Sequence, residues 1–176
     1  MAVEFMIVAL PRSGTTWAAN WLTTDTTLCL HDPLYTTHYT DWDSIQTNKT
    51  LGVSCTGIVH FLDWLNRHPA RKVILHRSIV EINESLEAIG LSRTEPHMVK
   101  ALDRVQGVHA YWTDIFDRPQ PLYEFLTRRE FDPERHAFLK DIEMQPNFQG
   151  LSVGKEVTAK LYGELMAIGA GIQKDG

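Results

Sequence analysis

Basic residues are in the minority: 17 Lys and Arg stand against 22 Asp and Glu, a formal net charge of −5. A general nucleic-acid binder needs a basic surface, so that class is excluded. Any anionic ligand must be held by local positive groups rather than by the field of the whole protein. Cysteine is scarce. Cys29 and Cys55 both fall in apolar runs read below as core strands, which predicts buried free thiols and suits a reducing compartment. No apolar run nears the ~18 residues of a membrane span, and Met1-Ala2-Val3-Glu4 lacks the basic start of a secretory leader. A cytoplasmic protein without membrane contacts is expected. The eight His and two Cys form none of the close-spaced patterns that hold zinc, so no metal is expected. No Gly-x-Ser-x-Gly elbow gives hydrolase chemistry a foothold. Repeats, low-complexity tracts and linkers are also missing, so the 176 residues are read as one domain over 1–176.

What is present is a regular alternation. Strand-like apolar runs fall at 4–10, 27–31, 50–55, 71–76 and 108–112. Helical periodicity occupies 15–23, 57–67, 78–90 and 94–105, with further helices over 121–128, 133–142 and 155–168. Ile79, Ile82, Leu86 and Ile89 make one apolar face, and Asp132-Pro133-Glu134 is a helix start with a cap, a first-position Pro and an early acid. The alternation predicts an α/β fold of three layers, a parallel sheet of four or five strands flanked by helices. Residues 32–49 are polar, with aromatics interspersed and no clear period. They follow the second strand, at the sheet edge where open α/β folds bind ligands, and are read as an acceptor-side or lid loop.

The most specific feature is Pro11-Arg12-Ser13-Gly14-Thr15-Thr16-Trp17, directly after the apolar run Phe5-Met6-Ile7-Val8-Ala9-Leu10. A strand runs into a short turn, and the turn opens a helix. The first helical turn presents free N–H groups and the positive end of the helix dipole. Gly14 lets the backbone approach a ligand closely. Thr15 and Thr16 add hydroxyls, and Arg12 adds a permanent forked cation. The set suits a phosphate or a sulfonate. It is not a Walker A motif, because Ala9 replaces the first Gly and Thr15 stands at the Lys position. A small P-loop nucleotide kinase or NTPase is therefore the inferior reading.

This heptad resembles the 5′-phosphosulfate loop of the PAPS-dependent sulfotransferases, and a second segment agrees. Lys72-Val73-Ile74-Leu75-His76 is an apolar strand that ends in Arg77, and Ser85 follows eight residues later on a helix. In that family a strand-terminal Arg and such a Ser grip the 3′-phosphate. The resemblance covers 4–17 and 71–90, with a weaker echo over 107–146, where His109-Ala110-Tyr111-Trp112 leads into Asp114. The Arg-x-Gly loop that completes the 3′-phosphate site in many cytosolic members of the family is not found. The resemblance implies a small, minimal P-loop sulfotransferase that takes PAPS, releases PAP and sulfates a hydroxyl or amine acceptor. It implies a cofactor site of Arg12, Ser13, Gly14, Thr15, Thr16, Trp17, Arg77 and Ser85, with Trp17 stacked on adenine.

Sulfuryl transfer needs the leaving phosphate stabilised, a role that falls to Arg12, and the acceptor proton removed. His31 and Asp32, after the second strand, are the titratable pair expected near the sulfonate. An imidazole suits base catalysis near neutral pH, so His31 is read as base, with Asp32 as its orienter or as an alternative base. His60, His68, His97 and His136 are read as surface residues. A non-catalytic P-loop protein that binds PAP or another anion is the remaining alternative.

Overall fold

In the computed structural model, residues 2–142 and 155–172 are described. The strands are β1 (Phe5–Ala9), β2 (Thr27–His31), β3 (Thr50–Cys55), β4 (Arg71–His76) and β5 (Val108–Tyr111). They form a five-stranded sheet in the order β2-β3-β1-β4-β5. Every pairing is parallel, with Ile7 opposite Ser54 and Val73, and His31 opposite Ser54. The expected parallel α/β sheet is thus what forms. β2, β3 and β4 begin and end where the apolar runs predicted.

All five residues of β1 are buried, as a central parallel strand requires when helices cover both faces. Its side chains alternate between two cores. Met6 and Val8 join Leu51, Val53, Ile58, Leu65, Ile82 and Leu102 on one face. Phe5, Ile7 and Ala9 join Trp17, Trp21, Val73, Leu75 and Ile115 on the other. Gly52 makes room for this packing: a Cβ there would lie 1.9 Å from the Phe5 ring. β5 is the exposed edge.

The helices are α1 (Thr15–Leu22), α2 (Leu62–Arg67), α3 (Ile79–Glu87), α4 (Pro96–Asp103), α5 (Asp114–Asp117), α6 (Pro119–Thr127), α7 (Pro133–Lys140) and α8 (Lys155–Ile172). Asp132 caps α7 by accepting from the Arg135 backbone N–H at 2.9 Å. Arg135 in turn donates to the carbonyls of Trp21 (2.6 Å), Asn20 (2.8 Å) and Thr23 (2.6 Å). A guanidinium thus caps the carboxyl end of α1, where the last turn's carbonyls need partners from outside the helix. The helix whose other end carries the 11–14 turn is thereby fixed.

Two expectations are corrected. The helix expected over 57–67 is a 3-10 helix, Gly57–Phe61, followed by α2; Phe61, at φ −107° and ψ 49°, interrupts it. The segment 32–49 is not an open loop. It holds 3-10 helices at Pro33–Tyr35 and Tyr39–Ser44. Trp42 is fully buried against the first core and His38 is 2% exposed. The His38 ring accepts from the Thr40 backbone N–H, capping the second of these helices, and His38 and Tyr39 both meet Glu164 of α8. Irregular spacing hid a segment that packs through two side chains rather than through a periodic face.

Candidate functional site

The parallel register brings the carboxyl ends of β1, β2, β3 and β4 to one edge, and the connections leaving them carry the candidate residues. Residues 11–14 turn directly into α1, whose first residue is Thr15. Gly14 adopts φ +82°, and a Cβ there would stand 3.2 Å from Ile115. Arg12 adopts φ +62° and Asp32 φ +42°. For side-chain-bearing residues the left-handed region costs on the order of 1–2 kcal/mol, and such outliers cluster at ligand sites. Two of the three non-glycine residues with positive φ among the described residues are thus candidate site residues.

The loop is anchored from below. Ser54, fully buried on β3, donates its hydroxyl to the Thr15 carbonyl at 2.9 Å. Sequence reasoning missed this residue, although a hydroxyl inside an otherwise apolar central strand was a usable signal. Ser13 is fully buried, and its hydroxyl has no hydrogen-bond partner among the described residues. An orphaned buried hydroxyl inside a loop of backbone donors fits an anionic oxygen as its acceptor.

On the β4 side, Arg12 Nε donates to Ser85 Oγ at 2.8 Å across 73 residues of sequence. Arg77 donates through a terminal nitrogen to the Arg12 carbonyl, and through Nε to Glu81 at 2.9 Å. Its guanidinium carbon lies 4.5 Å from the centre of the Trp112 ring. Arg12, Arg77 and Ser85 are therefore one cluster, although they come from two distant segments.

On the β2 and β3 side, His31 Nε2 lies 3.3 Å from Thr15 Oγ1, 3.2 Å from Thr16 Oγ1 and 3.2 Å from Asp32 Oδ2. A bare Nε2 would set its lone pair against the carboxylate. We assign the proton to Nε2 from this network, which leaves Nδ1 as the basic nitrogen. Asp32 is 8% exposed, and its Oδ1 accepts from the Thr56 N–H at 2.7 Å and the Thr56 hydroxyl at 3.2 Å. Both carboxylate oxygens are thus committed. Burial, reinforced by Asp32, raises the Cys55 thiol well above its ordinary pKa. The Tyr35 phenol is raised by burial, then by Asp32 and Cys55.

Trp17 requires a correction. Its ring is 7% exposed and packed against Trp21, Phe116 and His136 at centroid distances of 5.6, 4.6 and 5.4 Å. Its indole N–H donates to the Leu139 carbonyl at 3.1 Å. The ring belongs to the core and offers no face for adenine, because the third residue of α1 points inward. His68 and His136 are likewise buried rather than on the surface. A cavity of about 330 Å³ is lined by Trp21, Thr24, Tyr123, Arg129 and Arg135. It lies at the carboxyl end of α1, away from the loop, and none of the candidate residues lines it.

No protein-family model matches the chain, and no curated protein matches it. Among solved structures, a sulfotransferase from Alicyclobacillus acidocaldarius is similar, with a TM-score of 0.50 and 11% identity. The match covers 95% of this chain and 92% of that one, so the two are of comparable length. At that identity the likeness is one of fold: this chain has the α/β architecture of that sulfotransferase. No described helix is long and apolar enough to cross a membrane.

Proposed function

We propose that the protein is a PAPS-dependent sulfotransferase. The observation that carries this reading is the contact of Arg12 with Ser85, with Arg77 on the Arg12 carbonyl. The resemblance assigns one of these segments to the 5′-phosphosulfate and the other to the 3′-phosphate. A nucleotide phosphorylated at both ends needs both, as one cluster. The fold shared with a solved sulfotransferase supports the reading.

PAPS would supply the sulfuryl group, and PAP would leave with the new negative charge on its 5′-phosphate oxygen. Ser13, Thr15, Thr16 and the backbone N–H groups around Gly14 would surround the 5′ end, and Arg12 would meet the charge that develops on the leaving oxygen. Such donors act by electrostatic positioning rather than covalently. Arg77 and Ser85 would hold the 3′-phosphate. His31 would take the acceptor proton at Nδ1, while Asp32, held by Thr56, fixes the ring through Nε2. The acceptor is a hydroxyl or an amine, approaching over the ends of β2 and β3, on the far side of the loop from Arg77. We place the enzyme in the cytoplasm.

Calorimetric titration with PAP and with Mg²⁺–ATP tests the reading. PAP is expected to bind and ATP to bind more weakly, since Thr15 occupies the position of the ATP-binding lysine. Tighter binding of Mg²⁺–ATP would reassign the site to kinase or NTPase chemistry. PAP binding with no transfer to any alcohol or amine would leave a non-catalytic binding protein.

A further inference from the structure

Trp112 is the largest side chain at the site that the sequence leaves without a role. It follows β5, and its backbone N–H donates to the His76 carbonyl at 2.8 Å, which fixes it beside the exit of β4. Its ring is half-buried. Phe116 meets it edge-on at 5.6 Å, and a Cβ built on Gly14 would come within 3.9 Å of it. The ring therefore borders the phosphate loop on one side while Arg77 lies 4.5 Å from its centre.

That placement bears on what the ring does. The Arg77 guanidinium stands over it, so that face is not open to a nucleobase. A guanidinium over an indole face is held by the ring quadrupole and by stacking. Glu81 takes Nε of the same group, and the Arg12 carbonyl takes a terminal nitrogen. A long side chain gripping an anion loses rotamer freedom, and one pinned beforehand loses less.

We infer that Trp112 is a positioning residue for Arg77, and through Arg77 sets selectivity for nucleotides that carry a 3′-phosphate. This rests on the reading above that Arg77 meets the 3′-phosphate. Trp112 acts on one phosphate of the ligand and not on its base.

A double-mutant cycle over Trp112 and Arg77 tests this, with PAP and adenosine 5′-phosphate titrated against each protein. Trp112→Leu is expected to weaken PAP about 5- to 30-fold, the range of a partly desolvated cation–π contact. Adenosine 5′-phosphate is expected to change less than about two-fold, since that contact does not touch it. Trp112→Phe keeps an aromatic face and retains most of the PAP affinity. With Arg77 already replaced by Ala, Trp112→Leu adds nothing. Equal losses for both nucleotides, or full loss from Trp112→Leu on the Arg77→Ala background, overturn the inference, because a base platform or a structural residue would behave so. Wild-type protein with no preference for PAP over adenosine 5′-phosphate overturns the Arg77 reading itself, and the inference with it. Thermal melting monitors folding. If Trp112→Leu does not fold, the cycle runs on Trp112→Phe and Arg77→Ala, and a PAP loss from Trp112→Phe that persists without Arg77 is the contradicting result.

Discussion

On its β4 side the 11–14 loop, which carries Arg12, meets Arg77 and Ser85; on its β3 and β2 side it meets a histidine, a carboxylate and the buried Ser54 hydroxyl. The first side suits anions. Its cations are braced by Glu81, by Trp112 and by each other. The second side holds a buried carboxylate, Asp32; burial first, and Asp32 after it, raise both Cys55 and Tyr35. The contrast matches the two tasks of the proposed reaction. One side has to hold a doubly phosphorylated nucleotide, and the other has to accept a proton. Both tasks share Thr15 and Thr16, which open α1 and touch His31.

The largest expected effect separates the two sides. His31→Ala should lower turnover by about 10²–10⁴-fold, the usual contribution of general base catalysis, while calorimetry shows PAP affinity nearly unchanged. A variant with full activity would move the base elsewhere in the 32–49 segment, where His38 is already committed to Thr40 and Glu164.

A smaller effect is expected where the two sides share a foundation. Ser54→Ala removes the donor to the Thr15 carbonyl. That carbonyl keeps its place in the helix ladder, so the cost is that of one lost hydrogen bond, about 0.5–1.5 kcal/mol. The loss should be visible in thermal or denaturant unfolding, and PAP and adenosine 5′-phosphate should weaken together. A loss confined to PAP would mean that Ser54 serves the 3′-phosphate side instead.

The smallest effect concerns stability against pH. His60, after β3, and His76, at the end of β4, both have lowered pKa values, chiefly from burial, as does His68. Lowering favours the neutral ring in the folded state, so below the ordinary value of about 6.5 the unfolded chain binds more protons. Stability should be complete above that value and fall as pH drops through it. Melting temperatures read across that range check this, and a flat profile would contradict it. Replacing His60 or His76 with Asn then shows which side of the loop carries the loss.

The legibility of the site follows the same division. β2, β3 and β4 were readable because buried parallel strands are continuous apolar runs. The strand–turn–helix at 11–17 was readable because such a turn is local in sequence. The distance between Arg12 and Ser85 was not readable, since 73 residues separate them and only sheet order brings them together. Trp17 was misjudged because its resemblance to a stacking aromatic says nothing about Phe116 and His136, which enclose it from distant helices. Thr56 and Glu81 were overlooked for one reason. Each acts by holding another residue, and such a role has no motif. The 3-10 helices of 33–44 went unseen because their burial rests on single side chains such as Trp42, not on a repeat.

The central claim is that the cluster around Arg77 reads a 3′-phosphate. The most direct measurement is therefore paired titration of PAP and adenosine 5′-phosphate, which differ by that group alone, against wild type and Arg77→Ala. A charge-assisted contact to a desolvated anion is worth roughly 1.5–3 kcal/mol. Wild type should therefore prefer PAP, and Arg77→Ala should lose affinity for PAP by that amount while adenosine 5′-phosphate is little changed. Equal losses for the two ligands, or a wild type that does not distinguish them, would contradict the account.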